Sequence, residues 1–178
     1  MLTTLDIKEP GLSLLPPGVE RYVVEGGGLT GIQILPEDEI EIINNDGNQI
    51  CEISVFNKDG KSELAILGLK EIKDNSEIKK ILFKKDETSL QALLQLKKRN
   101  LNIEKSKSSL IFDKETKAGE SIKLKSKDKC YCIIAAPGNE MMVHEQNPST
   151  ELTVMVKRSV VKKDKEFSII PDPVYDPS

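Results

Sequence analysis

The sequence predicts a mainly β (α+β) fold: a barrel- or sandwich-like antiparallel β domain that carries one helical insertion. Short, β-branched segments bounded by turn-forming residues recur through the first and last thirds of the chain. A single segment, residues 88–100, has the spacing and the end residues of an amphipathic helix. Aromatic residues make up 4% of the chain and Trp is absent, so Ile, Leu and Val must fill the core. About ten strands with one helix favour a barrel or sandwich over an α/β fold.

The 178 residues are enough for one domain of ordinary size. Residues 1–18 are expected to form an irregular arm, because Pro16-Pro17-Gly18 cannot be helical. Residues 19–170 would form a single β-rich domain whose helical insertion spans about 70–107. Residues 171–178 contain three prolines and are interpreted as a linker or tail, which suggests a fragment or one module of a longer protein.

Four strands are predicted in the first third of the chain. They are "ERYVVE" (20–25), "LTGIQIL" (29–35), "DEIEIIN" (38–44) and "QICEISVF" (49–56). In the third of these, Ile40 and Ile42 alternate with glutamates, which predicts one buried face and one solvated face. Asp46-Gly47 between the last two strands predicts a hairpin.

The glycines of Gly26-x-Gly28-x-x-Gly31 have the spacing of a dinucleotide-binding fingerprint. Such a loop binds phosphate because its last glycine opens a helix whose N-terminus faces the pyrophosphate. Here Gly31 is followed by an alternating strand that Pro36 ends within five residues. We therefore interpret the glycines as a hairpin turn or a bulge, and not as a nucleotide site.

The middle of the chain is less regular. Residues 63–69, "ELAILGL", are predicted to be a strand, and the lysine-rich residues 70–85 fit a helix or a strand equally well. In the helix at 88–100, Thr88 or Ser89 is expected to be the N-cap. Its apolar side is expected to contact the core in preference to a partner protein, and comprises Leu90, Ala92, Leu93 and Leu94. Strands return in "SLIFD" (109–113), "ESIKLKS" (120–126), "KCYCIIAAP" (129–137), "ELTVMVKR" (151–158) and "EFSII" (166–170).

Charge is distributed unevenly although the net charge is only −3. Residues 1–69 carry 12 acidic and 4 basic side chains, whereas residues 70–129 carry 10 acidic and 17 basic side chains. Only three of the 26 basic residues are arginine, and exposed aromatic residues are scarce. Nucleic-acid binding favours arginine and stacking aromatics, so we interpret the basic middle as a solvated lysine surface and expect no nucleic-acid partner.

The cellular compartment and the lack of membrane contact are predicted from three features that the sequence lacks. No apolar run approaches the length of a membrane-spanning helix, and the N-terminus lacks the regions of a secretory signal. The three cysteines form no disulfide framework. A reduced, cytoplasmic setting without membrane contact is therefore expected.

Two groups of residues could carry chemistry. Cys130 and Cys132 alternate along one strand, so both sulfurs should face the same way and could bind Zn together with Cys51 and His144, the only histidine. The competing interpretation, which we prefer, is that the cysteines fill the core as small apolar residues and that no metal is bound.

Gln49 and Glu52 interrupt the apolar strand "QICEISVF". Gln49 shares a face with Cys51, whereas Glu52 lies on the opposite face with Phe56. Glu52 is interpreted either as solvent-facing at a sheet edge or as a functional carboxylate.

Two stretches of the chain resemble the urea carboxylase-associated (urea amidolyase-associated) domain family. In "LPPGVERYVVEGGGLTGIQILPEDEIEIINNDGNQICEISVF" the shared pattern is carried by Ile40, Ile42, Gly47 and Gln49, with Glu52 where the family usually has Asp. The second stretch, "DKCYCIIAAPGNEMMVHEQNPSTELTVMVKR", contains the family's Asn-Pro-x-Thr turn at residues 147–150. The lysine-rich middle matches nothing in the family, and it lacks the His and Cys that metal-dependent members would use.

The resemblance implies a β-rich, barrel-like domain that occurs alone or as an N-terminal module of proteins resembling aminomethyltransferases of the glycine cleavage T-protein type. We therefore expect a non-catalytic accessory domain for docking, oligomerisation or small-molecule binding, with folate bound only by an absent downstream domain. Gln49, Glu52 and Asn147 are the candidates for a residual polar pocket. The alternative is a metal-dependent amidohydrolase or deiminase acting on urea-like or carboxyguanidine substrates, with Cys130, Cys132, His144 and Glu52 as ligands or acid/base groups.

Overall fold

A computed structural model describes residues 7–8, 17–72, 77–138 and 149–159. Within these ranges the elements are, in chain order, β1 (Ile7–Lys8), β2 (Val19–Val24), β3 (Leu29–Ile34), β4 (Glu39–Asn44), β5 (Cys51–Phe56), α1 (Glu77–Leu82), α2 (Glu87–Lys98), β6 (Ser109–Phe112), β7 (Ser121–Lys125), β8 (Cys130–Ala135) and β9 (Leu152–Lys157). A short 3-10 helix, Leu64–Leu67, follows β5. The predicted mainly β class with a helical insertion is confirmed.

The strands form two sheets. The five-stranded sheet has the order β1-β3-β8-β5-β6, and the four-stranded sheet has the order β2-β9-β4-β7. Every pairing is antiparallel except that of the short β1 with β3. Strands β2 and β4 lie in the four-stranded sheet, whereas β3 and β5 lie in the five-stranded sheet. Consecutive strands from β2 to β5 therefore do not pair with each other, and their hydrogen-bonded partners are distant in sequence. The architecture is a sandwich in which β8 and β9 occupy interior positions of the two sheets.

The five-stranded sheet is covered on both faces. One face packs against the four-stranded sheet around a core that includes Ile40, Ile42 and Val154, which are at most 1% exposed. The other face packs Phe56 and Ile133 beneath the two helices. Burial on both sides explains why all six residues of β5 are buried, whereas residues of β4 alternate as its sequence predicts.

The turn at Asp46-Gly47 is tight, but the predicted hairpin is wrong. Gly47 has a φ of +74°, and a Cβ at that position would lie 2.6 Å from the backbone nitrogen of Ala118. The chain therefore reverses as the dipeptide predicts. However, β4 pairs with β7 and β9, while β5 pairs with β6 and β8, so the turn carries the chain from one sheet to the other.

The three-glycine segment is a turn that leads into a strand, as its sequence predicts, but it does not form a hairpin, because β2 and β3 do not pair with each other. Gly27 has a φ of +81°, and a Cβ on Gly26 would lie 2.6 Å from the backbone of Ser149. Gly31 lies within β3, opposite Ile133 of β8. Because a strand follows the glycines, their amides are not arranged as in a dinucleotide loop. Like the Asp46-Gly47 turn, this turn connects strands of different sheets.

Two predictions for the middle of the chain need correction. Residues 63–69 do not form a strand: Leu64–Leu67 form the 3-10 helix, which ends at Gly68 with a φ of +71°. Its apolar residues reach the core through a helical turn, so an apolar run alone could not distinguish the two structures. The ambiguous residues 70–85 contain α1, whose Ile78 and Leu82 are fully buried.

Helix α2 is present, but its N-cap and its buried side differ from the prediction. Asp86 is the N-cap, because its Oδ1 accepts a hydrogen bond of 2.7 Å from the backbone N–H of Ser89, which also holds the pKa of Asp86 below its ordinary value. The core side consists of Ser89, Ala92 and Leu96. Leu90 and Leu94, predicted to contact the core, are 55% and 56% exposed.

The predicted domain boundaries stay a prediction. The strand expected at 166–170 and the tail at 171–178 lie outside the described residues, as does most of the arm at 1–18.

Gly60 tests how closely the segments around the helices must pack. Its φ is +80°, and a Cβ would lie 1.8 Å from the carbonyl oxygen of Asn100 at the end of α2. Gly60→Ala should lower the free energy of unfolding by about 2–4 kcal/mol, since a left-handed backbone costs about 1–2 kcal/mol and overpacking about 1–3 kcal/mol. Urea unfolding would measure the change. Gly119→Ala is the matched control, because Gly119 has a φ of +83° but no atom within 4 Å of its Cβ position, so only the backbone cost should appear. Equal losses for the two variants would contradict the close approach to Asn100.

Candidate functional site

Gln49 lies at the end of the sandwich where β5 begins and β9 starts. Its side-chain amide donates to the carbonyl oxygen of Pro137 at 2.8 Å and to that of the neighbouring Ile50 at 2.8 Å. Its Oε1 accepts from the backbone N–H of Thr150 at 2.8 Å. Gln49 is only 1% exposed. The side chain therefore joins three chain segments, and both its donor and its acceptor groups are used in doing so.

Unpartnered oxygens lie beside Gln49. The amide of Asn44, at the end of β4, donates to the carbonyl oxygen of Gln49 at 2.8 Å. Its Oδ1 is buried and has no hydrogen-bond partner among the described residues, and the same is true of the Oγ1 of Thr150. Buried oxygens of this kind accept a hydrogen bond from ordered water or from a small donor molecule. This polar end is defined by Asn44, Gln49 and Thr150, and of the three predicted pocket residues it contains Gln49.

Glu52 does not join the polar end. It lies on the opposite face of β5, beneath α1, and is 1% exposed. Its carboxylate accepts hydrogen bonds from the backbone N–H groups of Glu77 at 2.9 Å and Ile78 at 3.3 Å, which are the first two residues of α1. A carboxylate in this position satisfies amides that have no partner within the helix. Glu52 therefore faces the core side of a helix and is not a solvent-facing edge residue.

Cys130 and Cys132 point to the same side of β8, as their spacing predicts. Their sulfurs are 3.8 Å apart, and the Cys130 sulfur is 3.7 Å from Ser126 Oγ. All three cysteines are unexposed and free of disulfides. The hydrogen bond with Cys130, together with burial, raises the pKa of the Cys132 thiol, and burial raises the pKa of Cys51. The same hydrogen bond lowers the pKa of Cys130, so a raised pKa favours the neutral thiol only at Cys51 and Cys132.

The predicted metal set lies only partly within the described residues. Among the described ranges, no group of three or more His, Cys, Asp and Glu side chains is arranged to hold a metal ion. His144, the proposed third ligand, lies outside the described residues, as does Asn147 of the polar pocket. The Zn alternative and the pocket assignment both stay predictions.

A buried ion network at the opposite end of β9 was not foreseen from the sequence. Arg158 donates from Nε and Nη2 to the two carboxylate oxygens of Glu20, at 2.9 and 2.7 Å. Its Nη1 donates to Asp38 Oδ2 at 2.7 Å and to the carbonyl oxygen of Gln33 at 2.9 Å. The hydroxyl group of Tyr22 donates a hydrogen bond to the carboxylate of Glu20. All three charged residues are at most 6% exposed. The scarcity of arginine in the chain was the single indication in the sequence that Arg158 has a special position.

This network ties the two sheets together. Glu20 belongs to β2 of the four-stranded sheet, Gln33 belongs to β3 of the five-stranded sheet, and Asp38 lies in the turn before β4. Asp38 also accepts from the backbone N–H groups of Leu35 and Ser159, both at 2.9 Å. Because each charged group has several partners, we interpret the network as structural.

The described helices are too short or too polar to cross a membrane.

Comparison with known proteins identifies one substantial similarity. The chain is 34% identical, over 172 residues, to the trimethylamine-oxide aldolase of Ruegeria pomeroyi. The alignment covers 96% of this chain but 22% of that protein, so the chain spans about a fifth of the length of the curated relative it matches. No family model matches the chain. The comparison therefore supports a domain related to part of that protein, and it does not support the urea carboxylase-associated family named from the sequence.

Gln49 provides a test of the polar end. Gln49→Ala should lower the free energy of unfolding by about 2–3 kcal/mol, because it leaves the Thr150 N–H and the Pro137 carbonyl without their partner. Thermal or urea unfolding would measure the loss. The control is Gln91→Ala on the exposed side of α2, which should change stability by less than about 0.5 kcal/mol. An unchanged stability for Gln49→Ala would show that these hydrogen bonds do not support the fold.

Tyr22 should make the stability of the fold depend on pH in the alkaline range. Burial, reinforced by the hydrogen bond to Glu20, raises the pKa of Tyr22 to about 12. In the unfolded chain the phenol loses its proton near pH 10, whereas in the folded chain it stays protonated to about 12. The unfolded state thus binds fewer protons in this window, so the free energy of unfolding should fall as the pH rises from about 10 to about 12.

Urea unfolding at stepped pH, together with ultraviolet titration of the phenolates, would measure this effect. Tyr22→Phe should remove the part of the fall that Tyr22 causes, and the control Tyr131→Phe should retain it. Ionisation of Tyr22 near pH 10 in the folded protein would contradict the geometry around Glu20.

Proposed function

We propose that this chain is a non-catalytic accessory module of a larger enzyme system, in which it provides docking and assembly. The observation that carries the proposal is that three buried polar side chains, each of a type suited to chemistry, are already used by the fold. Gln49 joins three segments, Glu52 caps α1, and Arg158 lies between two carboxylates. A catalytic group needs an accessible polar atom that can change its protonation or its partner, and these groups lack it.

The similarity to trimethylamine-oxide aldolase gives the proposal its context. A segment that corresponds to about a fifth of an enzyme is of domain size, and it leaves most of that enzyme for other domains. The reaction named for the relative would then be carried out by the part that this chain does not match. In the sequence-based proposal, the neighbouring domain is an aminomethyltransferase-like, folate-binding domain. The comparison favours a partner that belongs to the trimethylamine-oxide aldolase system.

The rival proposal is a metal-dependent amidohydrolase or deiminase. The observation that favours this rival is the 3.8 Å distance between the Cys130 and Cys132 sulfurs, which would allow both to approach one soft metal ion. Against it stand the complete burial of both cysteines and the raised pKa of Cys132, whereas the pKa of Cys130 is lowered by its hydrogen bond with Cys132. A thiolate site normally has an environment that lowers the pKa of its cysteines.

Activity and metal content separate the two proposals. The purified chain should leave trimethylamine oxide unchanged in an NMR assay in which the Ruegeria pomeroyi enzyme consumes it, and elemental analysis should find no stoichiometric metal. Exchange of the matching segment of that enzyme for this chain should preserve turnover within about tenfold, since a structural module only positions other domains. Turnover by the isolated chain would refute the accessory role. Stoichiometric metal that is lost in Cys132→Ser would support the metal-dependent rival.

A further inference from the structure

The exposed side of α2 combines apolar and charged residues in an ordered way. Leu90 and Leu94 are separated by one helical turn and are each more than half exposed. They lie in an open groove of about 540 Å³, whose lining comprises Glu87, Leu90, Gln91, Leu93, Leu94 and Lys97. Single exposed leucines are ordinary, whereas two that share one face of a helix form a small continuous apolar patch.

The charges at the ends of this face have opposite signs. Glu87 lies in the first turn of α2, and Lys97 and Lys98 lie in its last turn. Position 92 is the midpoint between Leu90 and Leu94, and it is also the midpoint between Glu87 and Lys97. A twofold axis at this position therefore relates each leucine to the other leucine and each charge to its opposite.

We propose that this α2 face binds the same face of a second copy of the chain, with the two helices antiparallel. Leu90 of one copy then contacts Leu94 of the other, and Glu87 lies opposite Lys97 at both ends of the contact. A parallel arrangement would place like charges together and is disfavoured. Twofold contacts of this isologous kind are the commonest in homo-oligomers. The inference rests on the proposed assembly role and identifies the partner.

The length of α2 limits the buried area of this contact and therefore the affinity of the dimer. A helix of 12 residues is about 18 Å long, so a pair of such helices buries less surface than a standard protein interface. We therefore expect a reversible dimer with a dissociation constant on the order of 10–100 µM. Its formation should depend on salt, because the end contacts are exposed ion pairs.

Sedimentation velocity over a concentration series tests the dimer. The weight-average mass of the chain should rise from 19.8 kDa towards twice that value as concentration increases. Leu94→Glu should weaken association at least about tenfold, since it places a charge in the apolar centre of the contact. Leu110→Glu is the matched control, because Leu110 is a 46% exposed leucine on β6, outside α2, and its replacement should leave association unchanged.

A charge exchange tests the antiparallel register. Glu87→Lys and Lys97→Glu should each be monomeric alone, because each variant places like charges at both ends of its own contact. An equimolar mixture should form a heterodimer, because the two lysines of the Glu87→Lys variant then lie opposite the two glutamates of the Lys97→Glu variant. Circular dichroism of each variant would verify that α2 is retained.

Three results would overturn the proposal: a wild-type chain that is monomeric throughout the series, a dimer that Leu94→Glu does not weaken, or charge variants that fail to associate when mixed. Association of α2 with a separate enzyme domain while the chain itself stays monomeric would assign the face to that domain and would also overturn it. None of these results affects the trimethylamine oxide assay, so failure of this inference is distinguishable from failure of the accessory role.

Discussion

The buried pairing of Arg158 with Glu20 and Asp38 is the constraint on which the arrangement of the two sheets depends. One guanidinium contacts a carboxylate from β2, a carboxylate from the turn before β4 and a carbonyl oxygen of β3. A buried charge is tolerated when its partners satisfy it, and removal of a single partner leaves the others in an apolar interior. The contact therefore fixes the end of β9 relative to three other segments, and it favours one relative position of the sheets.

A second polar contact acts in the same way at the beginning of β9. Gln49 bonds Pro137 after β8 and Thr150 before β9, so the two interior strands are fixed to the start of β5. The two ends of β9 are thus held by a neutral amide and by an ion network. Both are composed of residue types that a sequence search for chemistry selects first.

The assignment of residues to faces was largely predictable from the sequence, whereas the pairing of strands was not. Alternation of Ile40 and Ile42 with glutamates determined which side of β4 is buried, and the Cys130-x-Cys132 spacing placed both sulfurs on one side of β8. Asp46-Gly47 determined that the chain turns, but β4 and β5 enter different sheets. The turn dipeptide acts over four residues, whereas the choice of sheet depends on β7, β8 and β9, which follow much later in the chain.

The same distinction applies to the helices and the candidate site. The sequence of α2 predicts a helix, but which leucines are covered depends on where Phe56 and Ile133 lie beneath it. Glu52 was interpreted as solvent-facing at a sheet edge or as a functional carboxylate, yet it is buried and accepts hydrogen bonds from backbone amides 25 and 26 residues away. By itself the sequence determined the class of fold, the strand faces and the existence of the central helix, because these follow from local periodicity and backbone preference. Only the tertiary structure decided which sheet each strand joins and which polar residues are partners, because those contacts form between segments that no local pattern connects.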